Sequence, residues 1–550
     1  MDLTTNDISY FVGVDVGSGS ARAALVTNEG RIIKTSVKSI QTWSPKTEYY
    51  EQSSDDIWAT CVAVIQDVIE GCKPQLIKGI GFDATCSLVA LDENGSPLSI
   101  SPTGNNEQNI ILWMDHRASE EADYINSFNH SILRYVGGKV SLEMEIPKLL
   151  WLKKNQQDNW HKYRYFFDLP DFLTWKATNA DSRSLCSLVC KWNYVIGVDE
   201  KEGWNESYLV EIGLGDLLQN NCEKIGKTVL MPGTPCGKGL TENVAQILGL
   251  LPGTPVGASI IDAHAGGLGM IGCSTEGVSN DFETRLGLIC GTSTCHMAVS
   301  RNPAFAPGIW GPYYSAMVPG MWLNEGGQSA TGKLIDHIID SHPAKKDIQK
   351  KLTNGMHIQT YLSNLLKELT ETKKIKSMAY LTKDVHVWPD FHGNRSPLAE
   401  PTLRGMISGL SLSTSEEDLA ILYLATIQAL AYGTKHILDT LLHSGYTDIH
   451  SILICGGLSK NPIFIQTQAD VVRMPVLCPH ETESVLLGAA ILGACAAQQF
   501  ASVHEAIKIM GGNADIVRPN EEVAKYHANK YKVFLKMVQN QKTYREIMSN

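Results

Sequence analysis

One arrangement occurs twice in this chain: an apolar strand, a short loop of glycine and small hydroxyl residues, and a second apolar strand. The first copy is V-G-V-D-V-G-S-G-S at 12–20, continuing into Ala21–Val26. The second runs Leu286-Gly-Leu-Ile-Cys290, Gly291-Thr292-Ser293-Thr294 and Cys295-His-Met-Ala-Val-Ser300. Aligning Gly17 with Gly291 sets Val14, Val16 and Ala21 against Leu288, Cys290 and Cys295, while Asp15 falls opposite Ile289. The loop repeats and the carboxylate does not. A chain of 550 residues exceeds what one hydrophobic core supports. The pattern therefore predicts two similar domains, each presenting a hairpin loop to a shared cleft, with an acid supplied by the first alone.

Phe11 to Val16 reads as a buried strand, Ala21 to Val26 as a second, and Arg31 to Val37, after the turn Asn28-Glu29-Gly30, as a third antiparallel one. Ser20 to Thr27 also carries helix formers, but it is short and ends in a hairpin-type turn. The first loop meets neither glycine-rich phosphate motif. It lacks the third glycine and following helix of a dinucleotide fingerprint, and Ala21-Arg22 follow Ser20 where a P-loop requires G-K-[ST]. Two hairpin loops facing one another could instead hold a polyphosphate through backbone N–H groups.

A formal net charge of −11 with no long basic block argues against nucleic acid and anionic membrane as partners. No run of about 18 apolar residues occurs; the stretch from Ile247 to Ile261 is broken by Pro252 and Pro255. The first ten residues have no basic region followed by an apolar stretch, so no signal peptide is read and the cytoplasm is the expected compartment. The 13 cysteines fall mostly in apolar segments without C-x-x-C pairs and read as reduced core residues. Cys290, Cys295 and His296 make an incomplete ligand set whose neighbours alternate between strand faces, so no metal site is expected there.

A third glycine site follows a strand at Ser451–Cys455: Gly456-Gly457 form a turn, and Ser459 to Asn461 open a helix with Pro462 in its first turn. A nucleoside could approach so bare a backbone. Ser484 to Gln498 reads as a buried helix in which Gly488 and Gly493 permit close packing. Ile358, Leu362, Leu365 and Leu369 recur at helical spacing as an ordinary amphipathic helix. After Val523, Tyr526, Tyr531, Phe534, Leu535 and Val538 give a docked terminal helix its partly apolar face.

Two acids stand where chemistry is expected. Pro255 to Ile261 reads as a strand ending at Asp262, just before the glycine-rich helix start Ala263-His264-Ala265-Gly266-Gly267. A carboxylate there points into a cleft, and nearby helix N–H groups would favour its ionised form as an acceptor for a substrate hydroxyl proton; the alternative is an N-cap. Asp15 lies inside an apolar strand, where an unpaired charge is costly. A Mg²⁺ accompanying ATP, held directly or through water, would compensate it; a structural hydrogen-bond network is the alternative.

The motifs D-V-G-S-G-S, I-D-A-H-A-G-G, C-G-T-S-T, E-G-G-Q-S and C-G-G-L-S-K-N-P, in this order between about Phe11 and Phe500, resemble those of the FGGY carbohydrate kinases. That family lies within the actin, hexokinase and Hsp70 ATPase superfamily. G-F-D-A-T-C-S-L-V, L-W-M-D-H-R, S-L-C-S-L-V-C-K-W and W-P-D-F-H-G-N-R-S-P-L look like its ribulokinase branch. The resemblance implies an α/β fold of two ribonuclease H-like domains with a cleft between them. Residues 1–264 would bind sugar and carry the first phosphate loop, residues 265–513 would bind ATP, and residues 514–550 would form a helical tail.

Carried over by motif position, Asp262 is the expected general base and Asp15 the acid near Mg²⁺. Gly17, Ser18 and Ser20 belong to the first phosphate loop, with Arg22 neutralising developing phosphate charge. Gly291, Thr292 and Ser293 match the second phosphate loop, and Gly456, Gly457 and Asn461 the adenosine site. For the sugar, the resemblance implies Lys191, Glu325 and Asp262, with the Cys86 backbone nearby and Asp115 as a further candidate. Thr85-Cys86-Ser87 departs from the bacterial L-ribulokinase loop, which has a small residue and then cysteine after its threonine. Sugar configuration is therefore not inherited from that branch.

The expected reaction is ATP-dependent phosphorylation of the 5-hydroxyl of a ketopentose, D-ribulose giving D-ribulose 5-phosphate, with ATP and Mg²⁺ required. The alternatives are a kinase for L-ribulose, xylulose or ribitol, a chaperone-like or actin-like ATPase, and a sugar- and nucleotide-binding protein without turnover. The partner expected is a small-molecule sugar. The oligomeric state is left open, with a homodimer among the alternatives, and Trp310 and Trp388 fit either core or sugar-stacking roles.

Overall fold

The computed structural model describes residues 9–197, 202–352 and 355–549; residues 1–8, on which most of the signal-peptide reading rests, lie outside them. Both predicted hairpins form. Strands β1 (Tyr10–Val16), β2 (Ser20–Thr27) and β3 (Ile32–Ser39) run antiparallel, and β1 is flanked in parallel by β4 (Ile77–Ala84), which pairs in turn with β5 (Val256–Ile261). The first sheet thus has the order β5-β4-β1-β2-β3.

The second sheet repeats that order. Its hairpin strands β6 (Arg285–Cys290) and β7 (Thr294–Ser300) continue outward through β8 (Trp310–Tyr314) and β9 (Trp322–Gln328), the latter adjoining β7. On the other side β6 runs parallel to β10 (Ser451–Cys455), followed by β11 (Val476–Pro479) and β12 (Ala514–Val517). Within the order β8-β9-β7-β6-β10-β11-β12, the inner five strands mirror the first sheet. Residues 514–517 are therefore a sheet strand, and the tail helix begins only at Ala524.

The two hairpins are not equal in length. Val16 pairs with Ala21, and Gly17 N–H donates to Ser20 O at 3.0 Å; Cys290 pairs with Thr294, and Gly291 N–H donates to Ser293 O at 2.8 Å. The second loop is tighter by one residue, so Ala21 corresponds to Thr294 rather than to Cys295.

Helix α1 (Ser54–Ile69) covers one face of the first sheet. The opposite face is covered by the apolar helix predicted near 484–498, which forms at Ser484–Ala496. This long-range packing is possible because the strands lack side chains where the helix passes. A Cβ on Gly13 would lie 2.1 Å from Leu486 O, and one on Gly81 1.9 Å from Ala489 O. The same helix crosses Asp262–Ile271 through a reciprocal glycine contact: a Cβ on Gly269 would meet Ser484 O, and one on Gly488 would meet Ala265 O, each at 2.0 Å. The element that carries Asp262 is thereby fixed to both halves of the molecule.

The remaining helices are peripheral. The amphipathic helix forms at Ile358–Thr372 and buries Leu362, Leu366 and Leu369, so its stripe passes through Leu366 instead of Leu365. The tail helix Ala524–Ser549 docks through Tyr531, Phe534, Met537 and Val538. Trp388 lies beneath it, 4.4 Å between ring centroids from Phe534, and is core. All 13 cysteines are free, and His296 Nε2 bonds Thr434 Oγ1 at 3.0 Å. No helix among the described residues is long and apolar enough to cross a membrane.

Candidate active site

The C-terminal ends of β1, β4, β5 and β6 converge on a cleft of about 260 Å³. Both glycine loops line it: Gly17 and Ser18 from one side, Gly291, Thr292 and Ser293 from the other. Asp15, Arg22, Cys86, Lys191, Asp262 and Glu325 line it too. Residues spread over three hundred positions of sequence are thus brought together.

Asp262 opens the helix that follows β5. Its Oδ1 accepts the N–H of the next residue, Ala263, at 2.7 Å, and no side-chain bond caps the turn. One carboxylate oxygen is anchored and the other is left for a ligand. Burial, followed by the charge of Asp15, pushes the Asp262 carboxyl up to about 7, a value suited to a proton acceptor near neutrality.

Asp15 is buried and accepts two hydrogen bonds from Arg22, Nε at 2.8 Å and Nη2, both on Oδ2; Arg22 Nη1 reaches Glu483 Oε2 at 3.0 Å. Arg22 is therefore held by two carboxylates at the cleft edge. The parallel register places Asp83 beside Asp15. Burial, then the negative charge of Asp15, raises the Asp83 carboxyl well above the usual range, and both its oxygens are buried without a hydrogen-bond partner. Asp15 at the cleft, one oxygen of which is taken by Arg22, with the two unpartnered oxygens of Asp83 behind it, makes an all-oxygen donor set of the kind Mg²⁺ takes.

Also in the cleft wall, Glu325 projects from β9 and bonds Arg395 through Oε1. Burial works to raise Glu325, but Arg395 and Lys191 outweigh it and hold the carboxyl below its ordinary value. Lys191, at the end of the helix Leu185–Lys191, lies 3.9 Å from Glu143 Oε2 and 4.4 Å from the Trp310 ring centroid, and the Arg395 guanidinium lies 4.1 Å from the same centroid. Trp310 is a buried platform for two cations, an arrangement that keeps both fixed.

Five predicted residues fall outside this lining. Ser20 accepts the Gly17 N–H through its carbonyl and closes the first loop. Asp115 is fully engaged: Oδ1 accepts from Arg117 N and Nε, each at 2.9 Å, and Oδ2 from Tyr50 N and Arg117 Nη2, each at 2.7 Å. Its carboxylate is committed to the buried Arg117, which also bonds Glu51 at 2.8 Å, and is not brought to the cleft.

Gly456, Gly457 and Asn461 adjoin a second opening of about 370 Å³ at the ends of β10 and β11, lined by Cys455, Ser459, Lys460 and His480. Gly456, at φ +87°, packs against Cys290 O just before the second loop; a Cβ would stand 2.5 Å from it. Asn461 is a helix cap. Its Oδ1 accepts Ile463 N at 3.1 Å and Phe464 N at 3.2 Å, while Nδ2 donates to Tyr423 Oη at 2.7 Å and Gln359 Oε1 at 3.3 Å.

Among the cleft residues given no role from sequence, four bear charged or ring side chains. Arg395, Trp113 and His264 sit inside the quoted motifs N-R-S-P, L-W-M-D-H-R and D-A-H-A-G-G, and Glu143 lies in no motif. Trp113 Nε1–H donates to Ser18 Oγ at 2.9 Å and steadies the first loop. Burial pushes His264 down to about 4, so its imidazole is neutral.

Residues 10–192 match the N-terminal domain of the FGGY family of carbohydrate kinases, and residues 286–497 match its C-terminal domain. Over 546 residues the chain is 53% identical to a FGGY carbohydrate kinase domain-containing protein of Xenopus laevis, covering 98% of each. It is 39% identical over 531 residues to a D-ribulokinase of Saccharomyces cerevisiae, covering 92% of this chain and 74% of that protein. The fold is that of the xylulose kinase from Rhodospirillum rubrum, with a TM-score of 0.76, 17% identity and coverage of 97% and 99% of the two chains.

Proposed function

Because the chain belongs to the FGGY family of carbohydrate kinases, we propose that it transfers the γ-phosphoryl group of ATP to the 5-hydroxyl of D-ribulose. The observation that carries this reading is Asp262: a carboxylate with one oxygen anchored and a carboxyl raised to about 7, in the one cleft that both glycine loops line. The choice of D-ribulose is supported by the similarity to the yeast D-ribulokinase.

The free oxygen of Asp262 accepts the proton of the 5-hydroxyl as that oxygen bonds the γ-phosphorus and the bond from this phosphorus to the ADP oxygen breaks, giving D-ribulose 5-phosphate and ADP. Backbone N–H groups of the two loops hold the phosphates without a P-loop lysine, and Arg22 is placed to meet charge on the transferring group. Asp15, with Asp83 beside it, would hold Mg²⁺, which supplies charge neutralisation on the phosphate oxygens. Lys191 and Glu325, fixed by Arg395 and Trp310, orient the sugar hydroxyls. In this reading residues 1–264 supply the first phosphate loop, Asp262 and Lys191, and residues 265–513 supply the second phosphate loop, Glu325 and the nucleotide side, with Gly456 and Gly457 beside the base.

The test is a coupled ADP-release assay over D-ribulose, L-ribulose, xylulose and ribitol with Mg²⁺ and ATP. D-ribulose is expected to give the highest kcat/KM. A higher value for another sugar reassigns the substrate, and equal ATP hydrolysis without sugar defeats the kinase reading.

A further inference from the structure

The wall behind Asp262 carries a second donor set that phosphoryl transfer does not use. Cys186 and Cys190 stand four residues apart on the helix Leu185–Lys191, so their thiols share one face. His264 projects from the first turn of the helix that Asp262 opens. The two sulfurs and a ring nitrogen of His264 all lie within 4.8 Å of one another, and all three residues are buried. Cys190 Sγ is 3.5 Å from His264 Nε2.

That nitrogen is also 3.5 Å from Glu325 Oε2. Arg395 occupies the other oxygen, and Oε2 is buried with no hydrogen-bond partner. Glu325 Oε2 stands beside the imidazole but outside that group, so two thiols and one imidazole nitrogen face one point. Ligands held tetrahedrally at about 2.0–2.3 Å from a zinc ion stand roughly 3.3–3.8 Å apart, and the 3.5 Å between Cys190 Sγ and His264 Nε2 falls within that range.

We propose that Cys186, Cys190 and His264 form a site for one thiophilic divalent cation of the Zn²⁺ class, distinct from the Mg²⁺ of the nucleotide, with water completing its coordination. His264 lines the cleft and gives the ion its entry path, with the two cysteines behind it. The donor chemistry separates the two metals: thiolate and imidazole select a soft or borderline ion, whereas the carboxylates of Asp15 and Asp83 suit a hard one. Cys186 and Cys190 bind as thiolates, each releasing its proton to the buffer.

The ion would tie the helix Leu185–Lys191 to the helix that Asp262 opens.

Full-length reduced protein, stripped with a chelator and held in excess Mg²⁺, is titrated with Cd²⁺ and with Co²⁺. The expected result is one equivalent bound, with an ultraviolet thiolate-to-cadmium band, visible tetrahedral cobalt bands, and displacement of both by Zn²⁺. Cys186→Ser and Cys190→Ser each abolish the bands, and Cys236→Ser retains them. Bands that survive both serine substitutions overturn the site. If the serine variants do not fold, the unmodified protein decides, since no cadmium band in the stoichiometric range overturns the proposal equally.

Discussion

Replacing Asp262 by asparagine isolates the proton-accepting function from the geometry around it. The amide oxygen can still take the Ala263 N–H, now bonded at 2.7 Å, and the helix loses no side-chain cap. What changes is the second carboxylate oxygen, which becomes an NH₂ group without basicity. A positioned general base contributes about 10²–10⁴ in rate, or about 2.7–5.4 kcal/mol of barrier at about 1.36 kcal/mol per factor of ten. kcat with D-ribulose should fall by that factor while ATP affinity stays within about threefold, because the proposed phosphate contacts are backbone groups of the two loops and not Asp262.

The unsubstituted protein supplies an independent check on the same group. A carboxyl raised to about 7 is basic above that pH and protonated below it. kcat/KM should therefore drop about tenfold for each pH unit below about 7, and the residual activity of Asp262→Asn should lack this limb. The measurements are an ADP-release assay across pH and calorimetric titration of ATP. A variant retaining more than about a tenth of wild-type kcat, or one showing the same acid limb, would refute the assignment.

Four further substitutions, Gly19→Ala among them, test the frame. Gly13→Ala forces a Cβ to 2.1 Å from Leu486 O, whereas Gly19 in the adjoining loop has nothing within 4 Å. Urea unfolding should show a loss of about 1–3 kcal/mol or more for the first and under about 0.5 kcal/mol for the second; equal losses would count against the close helix–sheet contact. Arg117→Met leaves Glu51 and Asp115 buried without their cation and should cost about 3–5 kcal/mol in the same measurement; a loss below about 1 kcal/mol would contradict the buried network. Asn461→Ala removes a cap that accepts two backbone N–H groups and should cost about 1 kcal/mol. A rise in KM for ATP of more than about tenfold at unchanged stability would make Asn461 a nucleotide ligand instead.

What was legible in the sequence was local or periodic. The hairpins around Gly17 and Gly291 could be read because apolar runs and small polar loops are properties of a dozen consecutive residues. Asp262 could be read because a carboxylate between a strand and a glycine-rich helix has few structural uses. Long-range partnerships were not legible. Gly488 and Gly493 announced close packing without saying that it would be against the first sheet, and Arg395 gave no sign that it would meet Glu325.

Asp115 shows the opposite failure. Its motif belongs to the neighbourhood of the site, yet Arg117, two residues on, takes both of its oxygens. The Asn461-Pro462 pair, read for a nucleoside, also spells a helix cap followed by proline at the first turn. The one-residue difference between the two loops was hidden because register depends on which carbonyl closes the turn.

The helix at Ser484–Ala496 has a consequence for how the protein is made. The last strand of the first sheet ends at Ile261, and the helix that covers one face of that sheet is encoded roughly 220 residues later. At about 5–20 residues per second, a ribosome takes roughly 10–45 s to supply it. During that interval the apolar face around Gly13 and Gly81 has emerged without its cover, so the first sheet reaches its native packing only after Ala496 has been made. Folding of a first half to completion before the second is synthesised is not open to this topology.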